Sequence, residues 1–341
     1  MADFASAKVL AVAFTSNHCP TSNAAFPRLI ALSKELAAQG FGVVAINPNH
    51  PEALRPDELG YSKYGDSYEE MKLHARDAGF PFPYLYDGET QTTAMAYGCL
   101  ATPHVFLFDA ERKLRYKGWI DDSRFPGADT VTRPDLANAV RALLAGKPVP
   151  VTTTRPIGCS TKWRLKREQV RADDEKWANL PVTLEDIDAD GVRKLRTNAG
   201  GRHRLIHVWS TTCAPCVAEF PGVARVARRM GLRDFELVTI STDAPEDREK
   251  AADFLRKIGA GLPPHLRKSL EKEGRKTNSY LFSGASLAPL VEALDPAWEG
   301  PLPHTILLKP DGQVGFRHTG PLTEEQLLGK ILAVMTPYYQ P

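Results

Sequence analysis

Residues 205–221 read LIHVWSTTCAPCVAEFP and decide the fold of the C-terminal half of the chain. The apolar run 205–209 predicts a buried strand, and apolar positions at three- and four-residue steps after it predict an amphipathic helix. Cys213 then stands at the helix N-terminus, where free N–H groups and the helix dipole favour a thiolate. Cys216 follows in the same turn. The spacing predicts a dithiol that closes to a disulfide, with Cys213 as the nucleophile and Cys216 as the resolving thiol.

Two other roles for Cys213 and Cys216 compete with redox chemistry. One is half of a structural zinc site, but residues 181–341 contain no second Cys-x-x-Cys and no close Cys/His pair. The other is a pair of inert core thiols, although buried cysteines seldom occur as a spaced pair that opens a helix. The strand–turn–helix context favours redox chemistry. We therefore expect a redox-active disulfide, no metal ion and no dissociable cofactor.

A proline-containing loop provides the second half of such a site. Leu302-Pro303-His304 leads into the apolar residues 305–308. A cis bond at Leu302–Pro303, packed against the two cysteines, would expose backbone to an incoming substrate chain. His207, on the strand before the dithiol, is either a packed core residue or a group that transfers a proton, and Glu219 is a further candidate for proton transfer.

These features together resemble the thioredoxin-like thiol–disulfide oxidoreductases of the cytochrome-maturation (TlpA/ResA) type. The resemblance rests on residues 209–221, residues 295–303 and Asp311-Gly312. It implies that Cys213 attacks, that Cys216 resolves, and that Pro303 belongs to the substrate groove. Thr212 departs from the pattern, because this family usually has tryptophan just before the first cysteine.

The first half of the chain repeats this pattern. Residues 19–27 align without gaps on residues 213–221 and share cysteine, alanine, phenylalanine and proline at equal offsets. Thr102-Pro103-His104 corresponds to residues 302–304, so we predict a second cis bond at Thr102–Pro103 and a substrate-binding role for both residues. The repeat predicts an α/β protein of two tandem thioredoxin-like domains, each a central mixed sheet flanked by helices.

The first domain differs in its chemistry, because Ser22 replaces the second cysteine. Segments 17–20, 46–49, 80–87 and 157–163, together with Thr102-Pro103, resemble the peroxiredoxin-like redoxins of the AhpC/TSA superfamily. That resemblance implies a peroxide-reactive thiol at Cys19. Ser16, however, stands where true peroxiredoxins place threonine.

Cys99 and Cys159 are the remaining thiols, and both are candidates to resolve an oxidised Cys19. Cys99 lies among apolar and small residues, a context that favours a buried packing role. Cys159 follows the first domain among polar residues. It is either a resolving thiol that reaches Cys19 or an incidental cysteine of the linker.

A length of 341 residues fits about two domains. We expect a redoxin-like domain over 1–150, a basic linker over 151–180 and a TlpA-like domain over 181–341, opened by a short hairpin within 182–195. The net charge of +2 argues against a nucleic-acid partner. Basic residues between 162 and 171 are followed by acidic residues 173–175, a pattern typical of a solvated helix.

No apolar run reaches the length of about 18 residues that a transmembrane helix needs, and Met1–Lys8 lacks the apolar core of a signal peptide. Members of both resembled families are usually exported or membrane-tethered, so the resemblance favours an extracytoplasmic, periplasmic location. The sequence predicts a thiol–disulfide oxidoreductase acting on protein or small-molecule thiols and disulfides. A thiol peroxidase based on Cys19, regenerated by the second domain, is one alternative. A first domain that only binds partners is the other.

Overall fold

The computed structural model describes residues 4–340, so Met1–Asp3 of the segment considered for a signal peptide lie outside the described residues. The chain divides into two compact units. Unit 1 contains the described residues up to Arg55, Tyr61–Val170 and the C-terminal segment from Thr336. Unit 2 contains Pro56–Gly60 and Arg171–Met335. The contacts therefore divide the expected linker 151–180 between the units, and they assign the last residues of the chain to unit 1.

Unit 1 alternates strands and helices in the order β1, α1, β2, α2, β3, α3, β4, β5, β6, α4, β7. Their bounds are β1 Val9–Phe14, α1 Pro20–Leu36, β2 Phe41–Asn47, α2 Tyr68–Ala78, β3 Tyr84–Tyr86, α3 Thr92–Tyr97, β4 Ala101–Thr102, β5 His104–Phe108, β6 Leu114–Gly118, α4 Asp135–Leu144 and β7 Cys159–Ser160.

The main sheet of unit 1 has the order β3-β2-β1-β5-β6. Strands β1, β2 and β3 run parallel, whereas β5 and β6 are antiparallel to their neighbours. A separate antiparallel pair joins β4 to β7. The strand β1 is buried on both faces, since alternate residues pack into different clusters: Val9, Ala11 and Ala13 into one, and Leu10, Val12 and Phe14 into the other.

The boundary between the units lies within helix α5, and the other α-helices and strands of unit 2 come after it in the chain. The bounds are α5 Arg167–Ala178, β8 Leu184–Ile187, α6 Ala189–Thr197, β9 His203–Trp209, α7 Ala214–Arg229, β10 Phe235–Ser241, α8 Arg248–Lys257, α9 Pro264–Lys272, β11 Ser279–Phe282, α10 Ala288–Leu294, β12 His304–Leu308, β13 Val314–Thr319 and α11 Glu324–Met335.

The sheet of unit 2 has the order β13-β12-β9-β10-β11-β8. Strands β8 to β11 are parallel to their neighbours in this part of the sheet, and β12 is antiparallel to β9. Both units thus have the predicted thioredoxin-like α/β fold, with each cysteine turn at the carboxyl end of a central strand. The expected hairpin within 182–195 is wrong. Asp188 caps a helix there by accepting a hydrogen bond from the Gly191 N–H at 2.8 Å.

Alternation along β9 also decides which side chains face the dithiol. Leu205 and Trp209 join the cluster that contains Cys216, whereas Ile206 and Val208 point to the opposite cluster. His207 therefore lies on the same face as α7. Within residues 4–340, no helix combines the length and the apolar character needed to cross a bilayer.

Candidate functional site

Cys213 and Cys216 form a disulfide at the start of α7, with an S–S distance of 2.07 Å. Cys213 is the N-cap of the helix, and its sulfur accepts a hydrogen bond from the Cys216 N–H at 3.3 Å. Cys216 is fully buried, whereas Cys213 is half-buried and flanked by the exposed residues Thr212 and Ala214. Cys213 is therefore the sulfur of this pair that a partner can reach.

The loop before Cys213 is held in place by a single buried carboxylate. Asp243, which follows β10, accepts hydrogen bonds from the hydroxyls of Ser210 and Thr211 and from the Thr211 N–H, at 2.7–3.0 Å. Burial raises the pKa of Asp243, but a hydrogen bond from the Ser241 hydroxyl at 2.7 Å and those from Thr211 and Ser210 outweigh that effect and lower the pKa overall. Asp243 thus stays ionised and fixes the turn that presents the dithiol.

His207 and Glu219 meet beneath the dithiol, with 3.8 Å between His207 Nε2 and Glu219 Oε1. Burial lowers the pKa of His207 to about 3, and burial raises the pKa of Glu219 to about 7. His207 is therefore a neutral ring, packed on Phe220 at 4.5 Å and hydrogen-bonded to Thr305. Glu219 accepts a hydrogen bond from the Leu322 N–H at 2.5 Å. Of the two proton-transfer candidates, Glu219 is the one that titrates near neutral pH.

The loop expected to bind substrate has the predicted backbone in both units. Leu302–Pro303 and Thr102–Pro103 are cis. Leu302 packs against the same core cluster as Cys213. In unit 1, the carbonyl oxygen of Thr102 lies 3.1 Å from the Cys19 sulfur. Both loops therefore lie at the cysteine-bearing end of their units.

Cys19 is the N-cap of α1, in the place that Cys213 takes before α7, but it is fully buried. Burial raises the pKa of this thiol. Hydrogen bonds from the Cys159 side chain and from backbone N–H groups, together with the charge of His18, outweigh burial and lower the pKa to about 5. Cys19 is therefore a thiolate at neutral pH, although its own turn has no second cysteine.

His18 and Asp66 form a buried ion pair next to this thiolate, with His18 Nδ1 2.6 Å from Asp66 Oδ2. Burial lowers the pKa of His18, but Asp66 outweighs it, so the pKa is raised overall. Asp66 also accepts hydrogen bonds from the Asn17 N–H at 2.7 Å and from the Asn49 amide at 2.8 Å. The sequence did not point to this pair. The histidine beside Cys19 was a signal, but its partner is too distant along the chain to be recognised.

The two candidate resolving thiols of unit 1 have different surroundings. Cys159 lies against Cys19: its N–H is 3.4 Å from the Cys19 sulfur, and its side chain hydrogen-bonds that sulfur. Cys99 instead contacts the Ala101 carbonyl at 3.4 Å and the Thr161 hydroxyl at 3.6 Å. Burial raises the pKa of Cys99 to about 11. Cys99 is thus a protonated packing thiol, and the structure brings only Cys159 of these two to Cys19.

Tyr339, another residue that the sequence did not indicate, lies in the C-terminal segment of unit 1. Its ring packs on Tyr61 at 5.0 Å and under the Arg124 guanidinium at 4.5 Å. Burial raises the pKa of Tyr339 to about 12, with smaller contributions from the charges of Cys159 and Cys19. The C-terminal segment therefore belongs to the surroundings of the Cys19 thiolate.

Each unit thus places a cysteine at the N-terminus of the helix that follows a central strand, beside a cis-proline loop. This arrangement is that of a thioredoxin-like protein, with a cysteine at the helix N-terminus where such proteins carry redox-active thiols. Residues 1–132 match the family model described as Redoxin.

Curated proteins and solved structures give further likenesses. The thiol-disulfide oxidoreductase ResA of Bacillus subtilis is 24% identical over 140 residues, covering 41% of this chain and 65% of that protein. The thiol:disulfide interchange protein HelX of Rhodobacter capsulatus is 24% identical over 194 residues, covering 57% of this chain and 78% of that protein. A hypothetical protein of Sinorhizobium meliloti 1021 with a crystal structure is 40% identical, covering 48% of this chain and 83% of that one, with a TM-score of 0.42. The chain therefore spans just under two thirds of the Bacillus subtilis protein.

Proposed function

We propose that this protein is a thiol–disulfide oxidoreductase that exchanges disulfides with protein or small-molecule partners through Cys213 and Cys216. The observation that carries the proposal is the asymmetry of the pair. The Cys213 sulfur is accessible at the N-terminus of α7, whereas Cys216 is fully buried. The names of the relatives from Bacillus subtilis and Rhodobacter capsulatus support the same class of reaction.

The exchange proceeds through a mixed disulfide with Cys213. In the oxidised protein, a partner thiolate attacks the Cys213 sulfur, the Cys213–Cys216 bond breaks, and the electron pair leaves on Cys216. A second partner thiolate then attacks the partner sulfur of the mixed disulfide. The partner leaves as a disulfide, and Cys213 is released as a thiolate stabilised by the helix N-terminus. The reverse sequence reduces a partner disulfide.

Glu219 is the group that we propose to take the proton of Cys216. The two residues are three positions apart on α7 and so share a helix face. With a pKa raised by burial to about 7, Glu219 is an effective base near neutral pH. His207, whose pKa burial lowers to about 3, is too weak a base for this step.

Partners reach the dithiol from the exposed side of the turn, and Leu302 and Pro303 form the opposite wall of the groove in this proposal. The exposed residues around Cys213 are small or uncharged: Thr212, Ala214 and Pro215. This rim favours backbone and apolar contacts with a peptide or thiol over contacts with a nucleic acid. By resemblance, we place the protein in an extracytoplasmic compartment, which cell fractionation tests.

The rate of disulfide exchange by the reduced full chain tests the function. In a Cys19→Ser/Cys159→Ser background, we expect the protein to release the fluorescent thiol from a dye-labelled glutathione disulfide, and the added Cys213→Ser substitution to lose at least about 100-fold of that rate. Cys216→Ser should accumulate a mixed disulfide on Cys213. Cys99→Ser is the matched control and should keep the wild-type rate. An unchanged rate in Cys213→Ser would contradict the proposal.

A second candidate function, reduction of a hydroperoxide by Cys19, is favoured by one observation. The Cys19 thiol has its pKa lowered to about 5, although burial opposes this, so the nucleophilic form is present at neutral pH. Rapid trapping of a sulfenic acid on Cys19 with dimedone after addition of hydrogen peroxide would support this activity. If Cys19 reacts no faster than Cys99, unit 1 is a partner-binding module without peroxidase chemistry.

A further inference from the structure

Strand β7 lies where an incoming chain would approach the first cysteine site. It pairs antiparallel with β4, so that Thr102 is opposite Cys159 and Ala101 is opposite Ser160. Thr102 is also the residue whose carbonyl oxygen lies 3.1 Å from the Cys19 sulfur. Because paired residues in an antiparallel ladder lie directly across from each other, the pairing sets Cys159 beside that sulfur.

The contact between the two sulfurs is built by both the backbone and the side chain of β7. The Cys159 N–H lies 3.4 Å from the Cys19 sulfur, and the Cys159 side chain makes a further hydrogen bond to it. Cys19 is fully buried, whereas Cys159 is only half-buried. A buried sulfur and a sulfur at a partly exposed position therefore lie at one site.

Gly158 permits this close approach. A Cβ added at this position would lie 2.0 Å from the Thr102 carbonyl oxygen and 3.0 Å from the Pro103 ring. Its φ of +158° is a further reason why a side chain is disfavoured. Any larger residue would push β7 away from β4. The absence of a side chain at the residue before Cys159 therefore allows β7 to pack closely against the loop beside Cys19.

We propose that Cys19 and Cys159 form a second thiol–disulfide centre, in which the chain's own strand β7 occupies the substrate position of unit 1 and supplies the partner cysteine. This centre is independent of the Cys213–Cys216 pair. Among residues 4–340, the corresponding loop at Leu302–Pro303 carries no paired strand of this kind. Unit 1 therefore closes its groove with its own chain, and unit 2 leaves its groove open for partners.

The oxidant for this centre is a low-molecular-weight disulfide, which can reach the partly exposed Cys159 but is too large to reach the fully buried Cys19. The Cys159 thiol passes its proton to Cys19 as the Cys159 sulfur attacks the disulfide. A mixed disulfide forms on Cys159, and one thiolate is released. Cys19 then loses its proton to that thiolate and attacks the Cys159 sulfur. The Cys19–Cys159 bond forms and a second thiolate leaves. Two electrons pass from the two cysteines to the small disulfide.

Glutathione redox buffers applied to the full chain test this proposal. The protein is equilibrated anaerobically at increasing ratios of oxidised to reduced glutathione, quenched in acid, alkylated and digested for mass spectrometry. We expect a peptide that joins Cys19 to Cys159 to accumulate as the ratio rises. The same digest reports Cys213–Cys216 separately, so failure of that pair and failure of this one are distinguishable.

Three variants test whether the link depends on β7 and on Cys159. Gly158→Ala should lower the ratio of linked to free Cys19 and Cys159 by about tenfold or more at a fixed buffer, because it displaces β7. Cys159→Ser should abolish the link, and Cys99→Ser should leave it unchanged. The proposal is overturned if Cys19 and Cys159 remain free in buffers that oxidise Cys213–Cys216, or if Cys19 links to Cys99. A wild-type yield of the link in Gly158→Ala would also overturn it. If Gly158→Ala does not fold, the wild-type measurement decides.

Discussion

Glu219 provides a test of the electrostatics beneath the dithiol, through the variant Glu219→Gln. The side chain of Glu219 is 3% exposed and lies beside a neutral imidazole. Burial raises its pKa from 4.5 to about 7, while the hydrogen bond from the Leu322 N–H opposes this rise. Glutamine keeps the volume and can still accept that hydrogen bond, so the variant removes the charge and little else.

The expected difference in the free energy of unfolding follows from the pKa change of Glu219. The folded protein binds the Glu219 proton more tightly than the unfolded chain does, so stability is lost as the pH rises from about 4.5 to about 7. One pKa unit corresponds to about 1.4 kcal/mol, so a rise from 4.5 to about 7 sets an upper bound of about 3.5 kcal/mol. Relaxation of the protein around the ionised carboxylate reduces the expected loss to about 2 kcal/mol. Glu219→Gln should therefore be more stable than wild type by about 2 kcal/mol at pH 8, and by much less at pH 5.

Urea unfolding of the oxidised chain, read by pulsed hydrogen exchange of peptides from β9 and β10, measures this difference for unit 2 alone. The exposed Glu292→Gln serves as the matched control and should follow wild type at both pH values. Titration of other groups is common to all three proteins and cancels in the comparison. Equal stabilities of wild type and Glu219→Gln at both pH values would refute the buried, proton-binding role of Glu219.

Three further outcomes are expected. In the reduced protein, alkylation by iodoacetamide at pH 6 should label Cys213 before Cys216, because only Cys213 is accessible; peptide mapping with the reverse order would exchange their roles. Cys99 should be labelled last of these thiols in native protein and at once in urea, and early native labelling would contradict its buried packing role. Asp66→Asn should raise the pKa of Cys19 by about one unit or more, because His18 loses the carboxylate that keeps it charged. Thiolate absorbance at 240 nm in a Cys213→Ser/Cys216→Ser background measures this, and an unchanged titration would show that the ion pair does not act on Cys19.

Local features of the sequence were enough to predict the first dithiol. Cys213 and Cys216 lie in one turn between a strand and a helix, so their proximity depends only on backbone geometry over a few residues. The repeat over residues 19–27 extended the same fold to the first half, and both cis bonds followed from the position of proline before a strand. The failed prediction within 182–195 has a local cause: short apolar groups in that segment fit a strand as well as a helix.

The first cysteine site depends on contacts between distant parts of the chain. Cys19 and Cys159 are 140 residues apart. Their meeting depends on the register of two short strands, which no local pattern encodes. Likewise, Asp66 reaches His18 across 48 residues, and Glu219 acquires its raised pKa only because the fold buries it. The sequence by itself predicted the candidate nucleophiles and the fold that carries them. Tertiary structure decided their partners and their charge states, because distance and burial, not residue type, govern pairing and pKa.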